Sequence, residues 1–182
     1  MTFYLYTANY ARLRKNDVYA DEKKVVDKMP LARKITKFAF TFSTLFVLLS
    51  FWVPEGTVGF YQTPLTLRFC GLLLTFVAFL FLRSALNQLG KNYSPLFDTH
   101  KPQFIVREGL YSHIRHPVYL CNMMIILGYV LSSSSLWVLI SSLWGWGYMV
   151  RSILREDQYL ASEFPEYAEY QKKTWRILPF IF

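Results

Sequence analysis

The chain has 182 residues and a formal charge of +8, with 53% apolar and 19% aromatic residues. One domain is expected from the length. The composition is apolar for a soluble domain, and no basic, aromatic-interleaved soluble module is present, so the charge speaks for membrane topology and anionic lipid rather than nucleic acid. The apolar residues fall in blocks, and a membrane span needs about 20 of them.

Residues 1–34 are read as an N-terminal arm. Tyr4, Tyr6 and Tyr10 precede a charged run through Lys28, and Pro30 is expected to break the chain. A surface-lying helix or a partly ordered arm fits this pattern. Residues 35–53 form the first predicted span, which starts too late and after too many charges for a cleaved signal peptide. Residues 65–86 form the second, provided Arg68 and Arg83 sit at its ends and snorkel to the interface. A connection over 87–117 carries turn signals at Gly90 and Pro95, a short extended piece over 104–106, and a tight turn at Gly109. Pro117 suits the first turn of a helix, where a missing N–H costs nothing. The third span is short, 117–131. The uncharged turn Ser132-Ser-Ser-Ser135 joins it to the fourth, 136–154. That helix is expected to continue to Phe164, with Pro165 opening another whose first turns carry Glu166 and Glu169, favourable to the helix dipole. Trp175 and the tail from Ile177 return apolar groups to the interface.

The fold class is therefore all-α: an integral membrane protein of four transmembrane helices, with a C-terminal helical hairpin and a cytoplasmic extension. The membrane-embedded domain runs over 35–182. Nine of the 20 basic residues lie in residues 1–37, while the loop over 54–64 and the serine turn carry none. An even number of spans puts all the flanking basic segments on one side, the cytoplasm by the positive-inside rule, with both termini there. Bacterial inner membrane and endoplasmic reticulum both remain open.

Ionisable groups at a membrane edge are costly and mark functional sites or headgroup anchors. Two such clusters flank the predicted hairpin: Gly109-Leu-Tyr-Ser-His-Ile-Arg-His-Pro-Val-Tyr119, and Arg151-Ser-Ile-Leu-Arg-Glu-Asp-Gln-Tyr159. On a helix Tyr148, Arg151 and Arg155 share one face. Glu156 lies about 100° around from Arg155, and Asp157 farther still. Arg151 and Arg155 suit either headgroup snorkelling or a ligand, and Glu156 either a salt bridge to Arg115 or Arg155 or a site carboxylate. His116, just outside the positive end of a helix, is the better ligand contact; His113 is read as structural. The three histidines make no metal set. Cys70 and Cys121 fall inside spans and read as small packing residues. The serine run has no histidine beside it for a hydrolase triad, and no Gly-rich phosphate loop is present.

Gly109-x-Tyr111, Arg115-His-Pro117-x-Tyr119, an apolar hairpin, Glu156-Asp157, Phe164-Pro-Glu-Tyr167-x-x-Tyr170 and Leu178-Pro179 together resemble the isoprenylcysteine carboxyl methyltransferase family. The wider group includes the phospholipid N-methyltransferases. The resemblance covers roughly residues 84–182, with Leu89-Gly90 and Tyr93-Ser94 similar to the family's Leu-Gly…Trp-Ser segment. A weaker similarity to the C-terminus of much longer membrane sterol reductases ranks below it. Two departures stand out. Asp157 replaces the second member of a Glu-Glu pair, which leaves its role less secure than that of Glu156. Cys121 replaces a glycine.

The resemblance implies methyl transfer from S-adenosylmethionine, leaving S-adenosylhomocysteine. It places Tyr111, His116, Pro117, Tyr119, Leu120 and Glu156 around the cofactor, His116 and Glu156 holding its polar methionine end. A lipid or lipidated acceptor would enter sideways from the bilayer. A carboxylate acceptor needs only a cation such as Arg151 or Arg155, and the two arginines tilt the expectation towards an isoprenylcysteine-like carboxylate. An amine acceptor must lose a proton and would want Glu156 or Asp157 as base. S-methylation of a small thiol and a non-catalytic, headgroup-binding scaffold are the remaining alternatives.

Overall fold

Apolar blocks bounded by Pro and Ser become helices in a computed structural model that describes residues 30–50, 52–53, 57–93 and 102–179. Five α-helices follow in chain order: α1 Pro30–Leu49, α2 Leu65–Leu89, α3 Pro117–Ser133, α4 Leu136–Glu163 and α5 Tyr167–Lys173. Short 3-10 turns lie at Gly90–Asn92 and Gly109–Ser112. Among the described residues there is no β-strand, only two isolated bridges, Phe60–Ser135 and Ile114–Trp175. The tyrosines of the N-terminal arm, Pro95, His100 and the last three residues lie outside the described residues.

Pro30 opens α1 rather than breaking the chain ahead of it. Proline is well placed there, since the first helical N–H has no partner inside the helix. Pro117 opens α3 in the same way. α4 is 28 residues long, about 42 Å, so it outreaches a hydrocarbon core of ~30 Å and carries its last turns beyond it. Pro165 and Glu166 form the turn that precedes α5.

α2 packs along α3, and α1 packs chiefly on α4. Ala78, Leu82 and Leu86 of α2, Cys121 and Ile125 of α3, and Tyr93 form a core cluster. Glycine brings α2 and α3 close. A Cβ on Gly128 would stand 2.2 Å from Thr75 Oγ1 and 2.6 Å from the Gly71 carbonyl, so only hydrogen fits there. Small residues at such a crossing let two backbones approach, which is how helices gain contact where lipid offers no hydrophobic drive. Ser43 Oγ to Ser141 Oγ (2.6 Å) and Trp144 Nε1 to Thr36 Oγ1 (3.2 Å) tie α1 to α4.

The outward faces are apolar. Leu65, Phe69, Leu73, Phe76 and Leu80 run down α2 at helical spacing and are all exposed, as are Phe38, Leu45 and Leu48 of α1 and Ile140 and Leu143 of α4. A water-soluble bundle would place charges there. By length and composition α2 is apolar enough to cross a membrane, and α3 is a shorter apolar helix.

The serine turn departs from a solvated loop. Ser132, Ser133, Ser134 and Ser135 are all buried, with Ser134 in the left-handed region at φ 50°. The segment before α2 covers the turn, Tyr61 N donating to the Ser134 carbonyl (2.9 Å) and Leu136 N to the Gly59 carbonyl (2.8 Å). Arg68 does not merely snorkel. Its Nε donates to the Ser132 carbonyl (3.0 Å) and its terminal nitrogen to Ser50 Oγ (3.2 Å), closing the carbonyl end of α3.

Candidate functional site

The site forms where the N-terminus of α3 meets the far end of α4. Gly109 starts the approach at φ 58°, a conformation that disfavours a side chain, and its hydrogen leaves room for Gln88, whose Oε1 accepts from Leu110 N at 2.9 Å. The chain then enters α3 through residues 113–116, which have backbone groups to satisfy. The segment after α5 supplies the partners: Trp175 N donates to the His113 carbonyl (3.0 Å), Arg115 N to the Trp175 carbonyl (2.7 Å) and His116 N to the Arg176 carbonyl (3.0 Å). This pairing holds His116 and Arg176 side by side.

Asp157 is the centre of the cluster. It lies on the inward stripe of α4 that runs Ser142, Gly145, Met149, Ile153, Asp157, and it is 3% exposed. Its Oδ1 accepts from Tyr167 Oη (2.6 Å) and lies 2.9 Å from His116 Nε2. Its Oδ2 accepts from Arg176 Nε (2.7 Å). Arg115 spans both oxygens at 3.4 Å and also donates to the Gln171 carbonyl (3.1 Å) and to the carbonyl and hydroxyl of Thr174. Three other segments thus converge on one carboxylate of α4: the entry to α3, α5 and the stretch after α5.

Burial alone would raise the Asp157 carboxyl. The hydrogen bonds from His116 and Tyr167, with the charges around them, outweigh that and hold it well below the ordinary carboxylate range. Burial and the adjacent Asp157 push the Tyr167 phenol far up, so it stays a donor. Burial pushes Tyr170 up to about 12; it donates to the Tyr111 carbonyl at 2.5 Å.

Glu156 is different. His116 Nδ1 lies 3.6 Å from Glu156 Oε2, so one imidazole faces both carboxylates. Tyr119 stands edge-on to the His116 ring, 5.7 Å between centroids, and hydrogen-bonds Glu156. The Glu156 side chain keeps 28% exposure, yet surrounding protein disfavours its charge and raises its proton affinity, with His116 and Tyr119 acting the other way. It is the carboxylate of the cluster that a ligand can reach.

The structure brings His116, Tyr119 and Glu156 together at the first turn of α3, where Pro117 is buried and Leu120 half-buried. Tyr111 is buried too, its hydroxyl 3.5 Å from the Ala85 carbonyl of α2 and its own carbonyl accepting from Tyr170. The two arginines are not brought in. Arg151 is exposed and Arg155 half-buried, and among the described residues neither makes a hydrogen bond or ion pair with the cluster. The reason is helical phase: each is two residues from Ile153, about 200° around from the inward stripe.

Two participants, Arg176 and Tyr167, had no role assigned from the pattern of residues. Asp157, ranked below Glu156, is the hub, and Arg115 pairs with it rather than with Glu156. For Asp157 a signal existed, since it continues the i, i+4 series Gly145, Met149, Ile153; Arg176 had none, because its place depends on pairing with residues about 60 positions earlier.

The phospholipid methyltransferase family model matches residues 66–167, more than half of the chain, and includes His116, Glu156, Asp157 and Tyr167. The cobalt-zinc-cadmium resistance protein CzcN of Cupriavidus metallidurans is 36% identical over 97 residues, 52% of this chain and 45% of that protein. The protein-S-isoprenylcysteine O-methyltransferase of Schizosaccharomyces pombe is 31% identical over 102 residues, 54% of this chain and 43% of that enzyme. The chain thus spans less than half the length of these curated relatives. The fold is similar to the solved eukaryotic intramembrane Ras methyltransferase, an isoprenylcysteine carboxyl methyltransferase, with a TM-score of 0.60 and 21% identity over 86% of this chain and 55% of that one. The chain belongs to the phospholipid methyltransferase family.

Proposed function

We propose that the chain is an S-adenosylmethionine-dependent methyltransferase of the membrane, with α1 to α4 as spans and the His116 cluster on the cytoplasmic side together with both termini. The observation that carries the reading is the His116 ring set between Glu156 and Asp157 at the meeting of α3 and α4, inside the matched family region. The donor set fits the cofactor's polar end. Glu156 offers a reachable anion for an ammonium, and Tyr119, Pro117 and Leu120 border it. When bound, S-adenosylmethionine supplies a methyl group made electrophilic by its sulfonium. The chain's own task is then to align the acceptor with that methyl, a positioning effect worth several powers of ten in rate.

For the acceptor we favour a lipid-borne carboxylate of the isoprenylcysteine kind, supported by the 31% identical relative. Such a group needs no base, only a cation. Arg155 is the better candidate to hold it, because Arg151 is exposed. A second reading, N-methylation of a phospholipid amine, is favoured by the raised proton affinity of Glu156, which suits a base. Asp157 is excluded from that role by Arg115, Arg176 and Tyr167, which all donate to it.

Purified protein should bind S-adenosylhomocysteine, and His116→Ala and Glu156→Ala should each abolish that binding while leaving a folded protein. No binding by the wild type would end the reading. Radiolabelled methyl transfer to farnesylcysteine analogues and phosphatidylethanolamine, offered together, then separates the acceptors. Base-labile label on the first marks an ester, and stable label in the lipid marks an amine.

A further inference from the structure

We infer that Asp157, oriented by Arg115 and Arg176, fixes His116 in the tautomer that carries its proton on Nε2 and leaves Nδ1 as a lone-pair acceptor facing Glu156. The inference deepens the reading of this cluster as the donor's seat and rests on it only for the ligand's identity.

The argument is one of donors and acceptors. An ionised carboxylate can only accept hydrogen bonds. Asp157 faces two guanidinium groups, a phenol and an imidazole, and guanidinium groups cannot give up their protons. With two fixed cations at its oxygens Asp157 is held ionised, so the contact from His116 Nε2 at 2.9 Å has to be donated by the imidazole. A neutral imidazole has one N–H, which leaves Nδ1 as an acceptor. Nδ1 and Glu156 Oε2 stand 3.6 Å apart, beyond hydrogen-bond reach. Two acceptors at that separation suit one bridging N–H donor, and next to an anion a cationic one. The chemical class is a primary ammonium.

Arg115 and Arg176 are positioning residues here. Arg115 meets both oxygens at the same distance and favours neither, so Arg176, which meets Oδ2 alone, decides which way an amide would turn in Asp157→Asn. An amide nitrogen at the Oδ2 position would face Arg176 at 2.7 Å, a donor that cannot accept. The nitrogen must take the Oδ1 position, where Tyr167 can rotate to accept and His116 can accept only through an unprotonated Nε2. The substitution is therefore expected to reverse the tautomer rather than merely loosen it.

The test is nitrogen NMR of full-length protein with 15N-labelled histidine, recorded alkaline of the ordinary imidazole range near pH 6.5. With three histidines in the chain, the His116 signals are identified by their loss in His116→Gln. The wild type should show a single Nε2–H tautomer and Asp157→Asn the Nδ1–H form. Adding Arg176→Ala to Asp157→Asn should let the amide turn and restore a mixture of the two. A wild-type ring that is Nδ1–H, mixed or doubly protonated overturns the inference, and this arm stands even if Asp157→Asn fails to fold. An unchanged tautomer in folded Asp157→Asn overturns it too, and a double variant identical to the single one removes Arg176 from the account. None of these spectra needs methyl transfer, so loss of the donor-binding reading and loss of the tautomer are separately visible.

Discussion

The two ends of α3 are closed by opposite chemistry. At its start, two arginines, an aspartate, a glutamate and a histidine are drawn together from segments up to 60 residues apart. At its finish, four buried serines are covered by a neighbouring loop, with Arg68 the charged partner among the contacts described above. The 17 residues between span about 25 Å. A helix end can be closed by one cation with hydroxyls and backbone, as the serine end shows. The charged end must therefore serve something beyond closure, since burying ions costs more than burying serines. Glu156, still reachable there, is the group that gives the expense a purpose.

Breaking the charged end should have the largest effect. Asp157→Ala would remove the carboxylate that two guanidinium groups share and leave His116 only Glu156, and removing one partner of a buried pair costs about 3–5 kcal/mol. Thermal unfolding in detergent should show it, and a loss under 1 kcal/mol would mean the hub is not what holds α4 to the C-terminal segment. Next comes the packing between the ends. Gly128→Leu puts atoms where Thr75 Oγ1 would stand 2.2 Å from Cβ, so α2 and α3 must separate, at roughly 1–3 kcal/mol or more for overpacking. Retained stability with an intact donor site would show that the charged end does not depend on the α2–α3 crossing.

Acid should sharpen the contrast between the two carboxylates. The lowered proton affinity of Asp157 contributes stability that is fully present above the ordinary carboxylate range near 4 and is lost as pH falls below it. Glu156 has the opposite sign: its affinity is raised, so its ionisation costs stability as pH rises, and acid relieves that cost. S-adenosylhomocysteine binding should accordingly weaken on acidification before the fold does, because Glu156 takes its proton first. Binding and melting curves that fall together would contradict this separation. The smallest effect belongs to Arg151→Ala, expected within about 0.5 kcal/mol in stability and near wild type in donor binding, as for an exposed residue away from the cluster.

Much of the helical frame was legible because its signals are local. Proline at the first turn of α3 and the run of α4 past residue 154 follow from what each residue does to its own backbone, while the helix expected to open at Pro165 begins only at Tyr167. The outward apolar faces follow from composition. Local pattern misled where a second partner mattered. Pro30 looked like a break and is a helix start. Arg68 looked like a snorkelling terminus and is a cap on another helix. Arg151 and Arg155 share a face, as the helical period says, but face-sharing does not say which face turns inward.

The sequence by itself determined that His116 would sit at the start of a helix and Glu156 near the end of another, since Pro117 and the helical period of 136–163 act within a few residues. Only the tertiary structure decided that Asp157 is the common acceptor, because its partners come from three other segments and meet it through the pairing of residues 113–116 with 175–176. A buried carboxylate needs donors on both oxygens, and no local spacing records where in the chain those donors lie.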